Sequence, residues 1–96
     1  MNKKELEIIL KEGEGQFVEF KESPNSTFAK DIVAFSNSMG GRIFFGINDK
    51  REINGLKITN ELKSRIIDIA RNCGPLIKVD IEEFNNVLII NVSEGE

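Results

Sequence analysis

The chain has 96 residues, 13 lysines and arginines against 16 aspartates and glutamates, and a formal net charge of −3. That length allows one domain, with roughly 60–65% of the unfolded surface buried on folding. No run of 18 apolar residues occurs, so no membrane-spanning helix is expected. Histidine is absent and Cys73 is the single cysteine, which excludes Ser-His-Asp triads, Cys-His pairs, an internal disulfide and a zinc cluster. Charge after the initiator methionine, in place of an apolar stretch, gives no secretory signal, and a cytoplasmic location is expected.

In chain order, Leu6, Ile9 and Leu10 give residues 3–12 a helical stripe that Gly13 and Gly15 terminate. Residues 16–21 read as a strand, followed by a loop around Pro24. Ser26 is the expected N-cap of a second helix over 27–39, with Phe28, Ile32 and Phe35 as its stripe. Gly40 and Gly41 stop that helix, the first in a left-handed conformation. A strand over 42–48 and a polar turn over 48–51 lead to a third helix over 60–72, capped by Thr59 or Asn60 and striped by Leu62, Ile66, Ile69, Ala70 and Cys73. Residues 76–83 alternate apolar with charged, Asn85-Asn86 forms a two-residue hairpin turn, and residues 87–92 make a more apolar, interior strand. The fold expected is α+β, a mixed four-stranded sheet in the order β-α-β-α-β-β with an extra N-terminal helix and the helices mainly on one face.

Strand alternation defines faces. The apolar sets Val18/Phe20 and Ile43/Phe45/Ile47 are expected together under the helices. Glu19, Lys21 and Arg42, interleaved with Phe17 and Phe44, would occupy the opposite face. Such a face suits a stacking platform for bases, or a surface covered by the first helix or by a second subunit.

Glu14, Glu19 and Asp49 are the acidic candidates, able to converge if their strands are neighbours. Oxygen-only ligands suit Mg²⁺ or Mn²⁺ and metal-assisted phosphodiester hydrolysis, with Lys21 beside the phosphate. Spacing alone favours solvated surface charges. Gly41 and Gly46 have P-loop spacing but are followed by Ile47 and Asn48, not Lys and Ser or Thr, so this motif gives no nucleotide hydrolysis. Charge is uneven: residues 42–71 carry +3, residues 1–41 carry −2 and residues 72–96 carry −4. A basic patch is expected only in the middle.

The block Glu14-x-x-x-Val18-Glu19-Phe20-Lys21, then Ile32-Val33-Ala34-Phe35-Ser36-Asn37-Ser38-x-Gly40-Gly41-Arg42-Ile43-x-Phe45-Gly46-Ile47-Asn48-Asp49 and Ile53-x-Gly55, resembles the Schlafen/AlbA_2 family over about residues 14–92. The resemblance implies an Alba-like core and a nucleic-acid-binding domain of a prokaryotic transcriptional regulator, DNA ahead of RNA, without a cofactor. Lys21, Asn37, Arg42, Lys50 and Arg51 would then contact nucleic acid. The second implication is a Schlafen-like, metal-dependent endoribonuclease, with Glu14, Glu19 and Asp49 as catalytic carboxylates and ligands of Mg or Mn; Asn48 replaces one family acid. Some members carry an ATPase label, which the incomplete P-loop does not support. DNA binding through a basic hairpin arm is not expected, because Glu82-Glu83-Phe84-Asn85-Asn86 is acidic and short. A homodimerisation module burying Phe17 and Phe44 is the third reading. Residues 1–96 are expected to be one domain, an N-terminal fragment of a longer protein or an unusually short family member.

Overall fold

The computed structural model describes residues 1–25, 27–74 and 77–95. Its elements are α1 (Lys3–Glu12), β1 (Val18–Lys21), α2 (Phe28–Ser36), β2 (Gly41–Phe45), α3 (Asn60–Cys73), β3 (Val79–Phe84) and β4 (Val87–Val92). The sheet runs β1-β2-β4-β3, with β1 parallel to β2 and the other two pairs antiparallel. This is the mixed four-stranded α+β architecture expected from the sequence.

The two central strands explain the hydrophobic pattern. Ile43, Phe44 and Phe45 of β2 and Val87 through Ile90 of β4 are fully buried. A strand covered on both faces reads as a continuous apolar run rather than an alternation. On one face α2 and α3 pack Phe28, Ile32, Phe35, Ile66 and Ala70 onto Ile43, Phe45, Leu88, Ile90 and Val92. On the other, α1 packs Leu6 and Ile9 onto Phe44, Ile47, Val87 and Ile89.

That arrangement corrects the expected faces. The β1–β2 register sets Val18 opposite Arg42 and Phe20 opposite Phe44. Val18 and Phe20 therefore lie with Phe44 under α1, while Glu19 and Lys21 share the α2–α3 face with Ile43 and Phe45. Alternation orders the residues within each strand; only the register aligns one strand with the next. Ile47 also changes sides. Gly46 has φ +104°, which ends β2 and breaks its alternation, and Ile47 joins Phe44 beneath α1. Of the two phenylalanines expected together, Phe44 is covered by the first helix and Phe17 remains 43% exposed.

Boundaries shift for local reasons. Gly15 and Val18 close a tight turn by mutual backbone hydrogen bonds, so β1 begins at Val18 rather than at residue 16. Ser26, the expected cap of α2, lies outside the described residues; Thr27 occupies the N-cap position without a side-chain cap bond. Thr59 caps α3, its Oγ1 accepting from the Leu62 amide at 3.1 Å. Leu76 lies outside the described residues, and β3 begins at Val79. Asn85 and Asn86 both adopt positive φ, at 46° and 64°, as their hairpin turn requires.

The second helix ends at Ser36, three residues before the expected 39, and a turn over residues 37–39 carries the chain to Gly40. Gly40 has φ +84°, and a Cβ there would lie 2.6 Å from the Val92 carbonyl oxygen. A Cβ on Gly41 would meet the Phe35 ring at 2.4 Å, so both glycines are steric requirements for joining α2 to β2. Gly40→Ala is expected to destabilise the fold by about 1–3 kcal/mol through backbone strain and the carbonyl clash. A lower urea midpoint with an unchanged m-value would show this.

Candidate functional site

Because β1 and β2 are parallel, their carboxyl ends lie together, and the chain leaves both through polar segments. A polar cleft of about 380 Å³ opens there, lined by Glu14, Glu19, Phe20, Lys21, Glu22, Ser23, Asn25 and Asp49. The three carboxylates singled out in the sequence, Glu14, Glu19 and Asp49, thus share one cleft with Lys21.

Each has a local reason for its place. β1 is an edge strand, and Glu14 folds back along it to accept the Phe20 amide at 3.1 Å. This contact caps a backbone donor that would otherwise face solvent at the sheet edge. Glu19 projects from β1 beside it. Burial raises the Glu19 carboxyl above its ordinary value, the negative charges of Glu14 and Asp31 raise it further, as does a hydrogen bond with Glu14, and Lys21 opposes the shift.

Lys21 is held rather than free. Its ammonium lies 3.1 Å from Asp31 of α2 and 3.3 Å from Thr27 Oγ1, with the side chain 15% exposed. Asp31 is the functional neighbour that sequence reasoning missed. Its only signal was a charged residue immediately beside Ile32 in the apolar stripe of α2.

Asp49 is positioned by Asn48. The Asn48 Oδ1 accepts the amides of Lys50 at 2.9 Å and Glu52 at 3.0 Å. Its Nδ2 donates to Glu52 Oε1 at 3.2 Å and Asn54 Oδ1 at 3.1 Å. An aspartate could accept the two amides but could not donate to the two oxygens, which gives a physical reason for an amide here where the family pattern has an acid. Asn54 in turn donates to Glu22 Oε1 at 3.4 Å, tying this turn to the rim of the cleft.

The five residues expected to contact nucleic acid do not form one patch. Lys21 lines the cleft, and Lys50 follows Asp49 at the same end of the sheet, exposed and without an ion pair among the described residues. Arg42 is on the α1 face, 3.7 Å from Glu5 and with its guanidinium 5.6 Å from the Phe44 ring centroid. Arg51 donates to the Lys11 carbonyl at 3.1 Å, holding the end of α1. Asn37 is exposed at the opposite end of β2.

Oxygen donors such as these suit Mg²⁺ or Mn²⁺ by chemistry. As placed, however, no three acidic, histidine or cysteine groups among the described residues gather closely enough to hold one ion. Glu14 is occupied by the Phe20 amide, so the present geometry does not fit a metal. Gly41 begins β2 itself, so the Gly41–Gly46 spacing lies in a strand, not in a phosphate-binding loop entering a helix. Cys73 donates to the Ile69 carbonyl at 3.2 Å, and burial pushes its thiol up, away from the reactive thiolate.

The chain matches the Schlafen AlbA_2 family over residues 14–96 and belongs to it. Membership associates the domain with nucleic acid. A relative in Ureaplasma parvum serovar 3, named an uncharacterized ATP-binding protein, UU034, is 46% identical over 56 residues, covering 53% of this chain and 16% of that protein. The crystal structure of the DIP2311 protein from Corynebacterium diphtheriae matches 94% of this chain and 21% of its own at 16% identity, with a TM-score of 0.49. The chain therefore spans about a fifth or less of either protein. Among the described residues no helix is long and apolar enough to cross a membrane.

The raised Glu19 carboxyl has a sign that can be measured. A folded carboxyl that binds its proton more tightly than the unfolded one leaves stability intact below the unfolded pKa. Stability then falls as pH rises through the folded value. Glu19→Gln removes this penalty. At pH 7 its melting temperature is expected about 1–3 °C above wild type, a modest rise because the group is partly exposed. The difference should vanish well below the usual glutamate value of 4.5.

Proposed function

We propose that this chain is a nucleic-acid-binding domain of a transcriptional regulator, acting in the cytoplasm. It takes the phosphodiester backbone of DNA at the carboxyl ends of β1 and β2. The observation that carries this reading is the meeting of Lys21 and the Asp49–Lys50 turn at one polar cleft, in a chain of the Schlafen AlbA_2 family. Lys50 supplies an exposed cation for phosphate, without an ion pair among the described residues, while Lys21 moderates the carboxylates around it. Arg42, packed over Phe44 and facing Glu5, supports α1 instead. Lys50→Glu is expected to weaken binding of duplex DNA about three- to tenfold and to reduce the salt slope by about 1–2. Fluorescence anisotropy across salt concentration measures both, and wild-type affinity with a wild-type slope would remove Lys50 from the interface.

A second reading, a Schlafen-like endoribonuclease, draws on the shared cleft of Glu14, Glu19 and Asp49, whose carboxylates would have to close in further than they stand here before Mg²⁺ or Mn²⁺ could be held. Glu19, raised by burial and by Glu14, is the carboxyl of the three whose environment is most perturbed, and so the one whose removal is most informative. Incubation of structured RNA with Mn²⁺ separates the readings. A nuclease cleaves, and Glu19→Gln lowers the rate at least about tenfold. No metal-dependent cleavage, or equal cleavage by both proteins, leaves the binding domain alone.

A further inference from the structure

The carboxylate cleft does not end at Ser23. Ser23 also lines a second cleft, of about 490 Å³, formed with Pro24, Leu56, Lys57, Thr59, Glu61, Leu62 and Arg65. The shared residue makes the two clefts neighbours on the α2–α3 side of the sheet. Their chemistry differs. Lys57 and Arg65 are exposed, and among the described residues neither makes an ion pair or a side-chain hydrogen bond. Lys21, Arg42, Arg51 and Lys63 all have protein partners. Arg71 and Lys78, likewise exposed and without an ion pair among the described residues, line a separate cleft with Ile67, Ile77 and Ile81. What sets Lys57 and Arg65 apart is that their cleft adjoins the carboxylates through Ser23. Glu61 shares the cleft without pairing to Arg65 one turn along α3. The amide of Leu62 is already satisfied by Thr59, so the cations, rather than the helix end, give this cleft its character.

Two unpaired cations over a partly apolar floor of Leu56 and Leu62 suit an anionic polymer whose backbone is charged and whose sugars and bases are not. We propose that the Lys57–Arg65 cleft is a phosphodiester-backbone subsite, holding the strand that continues from the cleft at Glu14, Glu19 and Asp49. This inference rests on the nucleic-acid reading above and adds a surface to it. The cations bind phosphates flanking the polar cleft, so the strand meets the carboxylates at a fixed register. The carboxylates themselves repel an unaccompanied phosphate, so Lys50 at the polar cleft needs further cations on such a neighbouring surface.

The test uses the whole chain and two fluorescein-labelled probes, a mixed-sequence 20-base-pair DNA duplex and a hairpin RNA. The double variant Lys57→Glu/Arg65→Glu is compared with Lys3→Glu/Lys4→Glu, which reverses the same number of charges on α1, across the sheet. Both pairs are exposed, and matched melting temperatures confirm folding. The cleft variant is expected to weaken binding about tenfold or more and to reduce the salt slope by about 2, with the α1 variant near wild type. Glu61→Gln is expected to tighten binding about twofold. The probe more strongly affected identifies the backbone held. If wild type binds neither probe, the nucleic-acid reading itself fails. If wild type binds but the cleft variant does not weaken binding, or both variants weaken it equally, the cleft assignment alone is overturned.

Discussion

The pairing of β1 with β2 is the constraint on which the rest depends. Four residues of β1 align in parallel with Arg42–Phe45, and that alignment settles three separate matters. Phe20 meets Phe44 edge-on, with ring centroids 5.9 Å apart, and closes the α1 side of the core. Glu19 and Lys21 are turned toward α2, where Asp31 holds the lysine. Parallel strands also end at the same side of the sheet, so Glu19 and the Asn48–Asp49 turn arrive together although they lie about thirty residues apart in the chain. A slip of one residue would send Glu19 into the apolar core under α1 and dissolve the cleft.

The local reinforcements answer to this pairing. Phe17 O accepts from the Arg42 amide at 2.8 Å at one end, and Lys21 O accepts from Gly46 at 2.8 Å at the other. Gly46 then turns the chain out of the sheet, which lets Ile47 re-enter the core and leaves Asn48 to build the polar turn. The backbone of Gly46 also accepts from the amides of Asn54 and Gly55. The segment carrying Asp49 and Lys50 is thus anchored at both its ends to one glycine. Charged side chains at a cleft mouth need such a frame if their separation is to be reproducible.

Much of this was legible in the sequence because it depends on local pattern. The bounds of α1, the interior position of β4, the Asn85-Asn86 turn and the left-handed Gly40 all follow from periodicity or from residues with special backbone freedom. The grouping of Glu14, Glu19 and Asp49 was legible only on condition that their strands were neighbours. What failed depended on register or on tertiary contacts. The expected faces failed because the β1–β2 register sets Val18 and Phe20 with Phe44 under α1, and the sequence did not show that Arg42 packs over Phe44 or that Arg51 donates to the Lys11 carbonyl. Periodicity cannot reveal which cation already has a partner. Nor does it show that Lys57 and Arg65, on a loop and on a helix, line the same cleft.

The charge of −3 takes on a different meaning once partners are assigned. Net charge sets the long-range field, which here disfavours a polyanion, and only cations left unpaired can neutralise phosphate at contact. Within the basic middle of the chain, Arg42, Arg51 and Lys63 are engaged with Glu5, the Lys11 carbonyl and Glu83. Lys50, Lys57, Arg65 and Arg71 make no ion pair among the described residues; Lys57 and Arg65 line the cleft that adjoins the acidic one, while Arg71 lies at the far end of α3. On the proposed reading, such an arrangement repels a polyanion at a distance and at the carboxylates, and draws its backbone to the cations that border them. A domain that binds in this way would gain selectivity from repulsion as well as from attraction, since a strand displaced from Lys57 and Arg65 toward Ser23 meets the Glu14, Glu19 and Asp49 carboxylates.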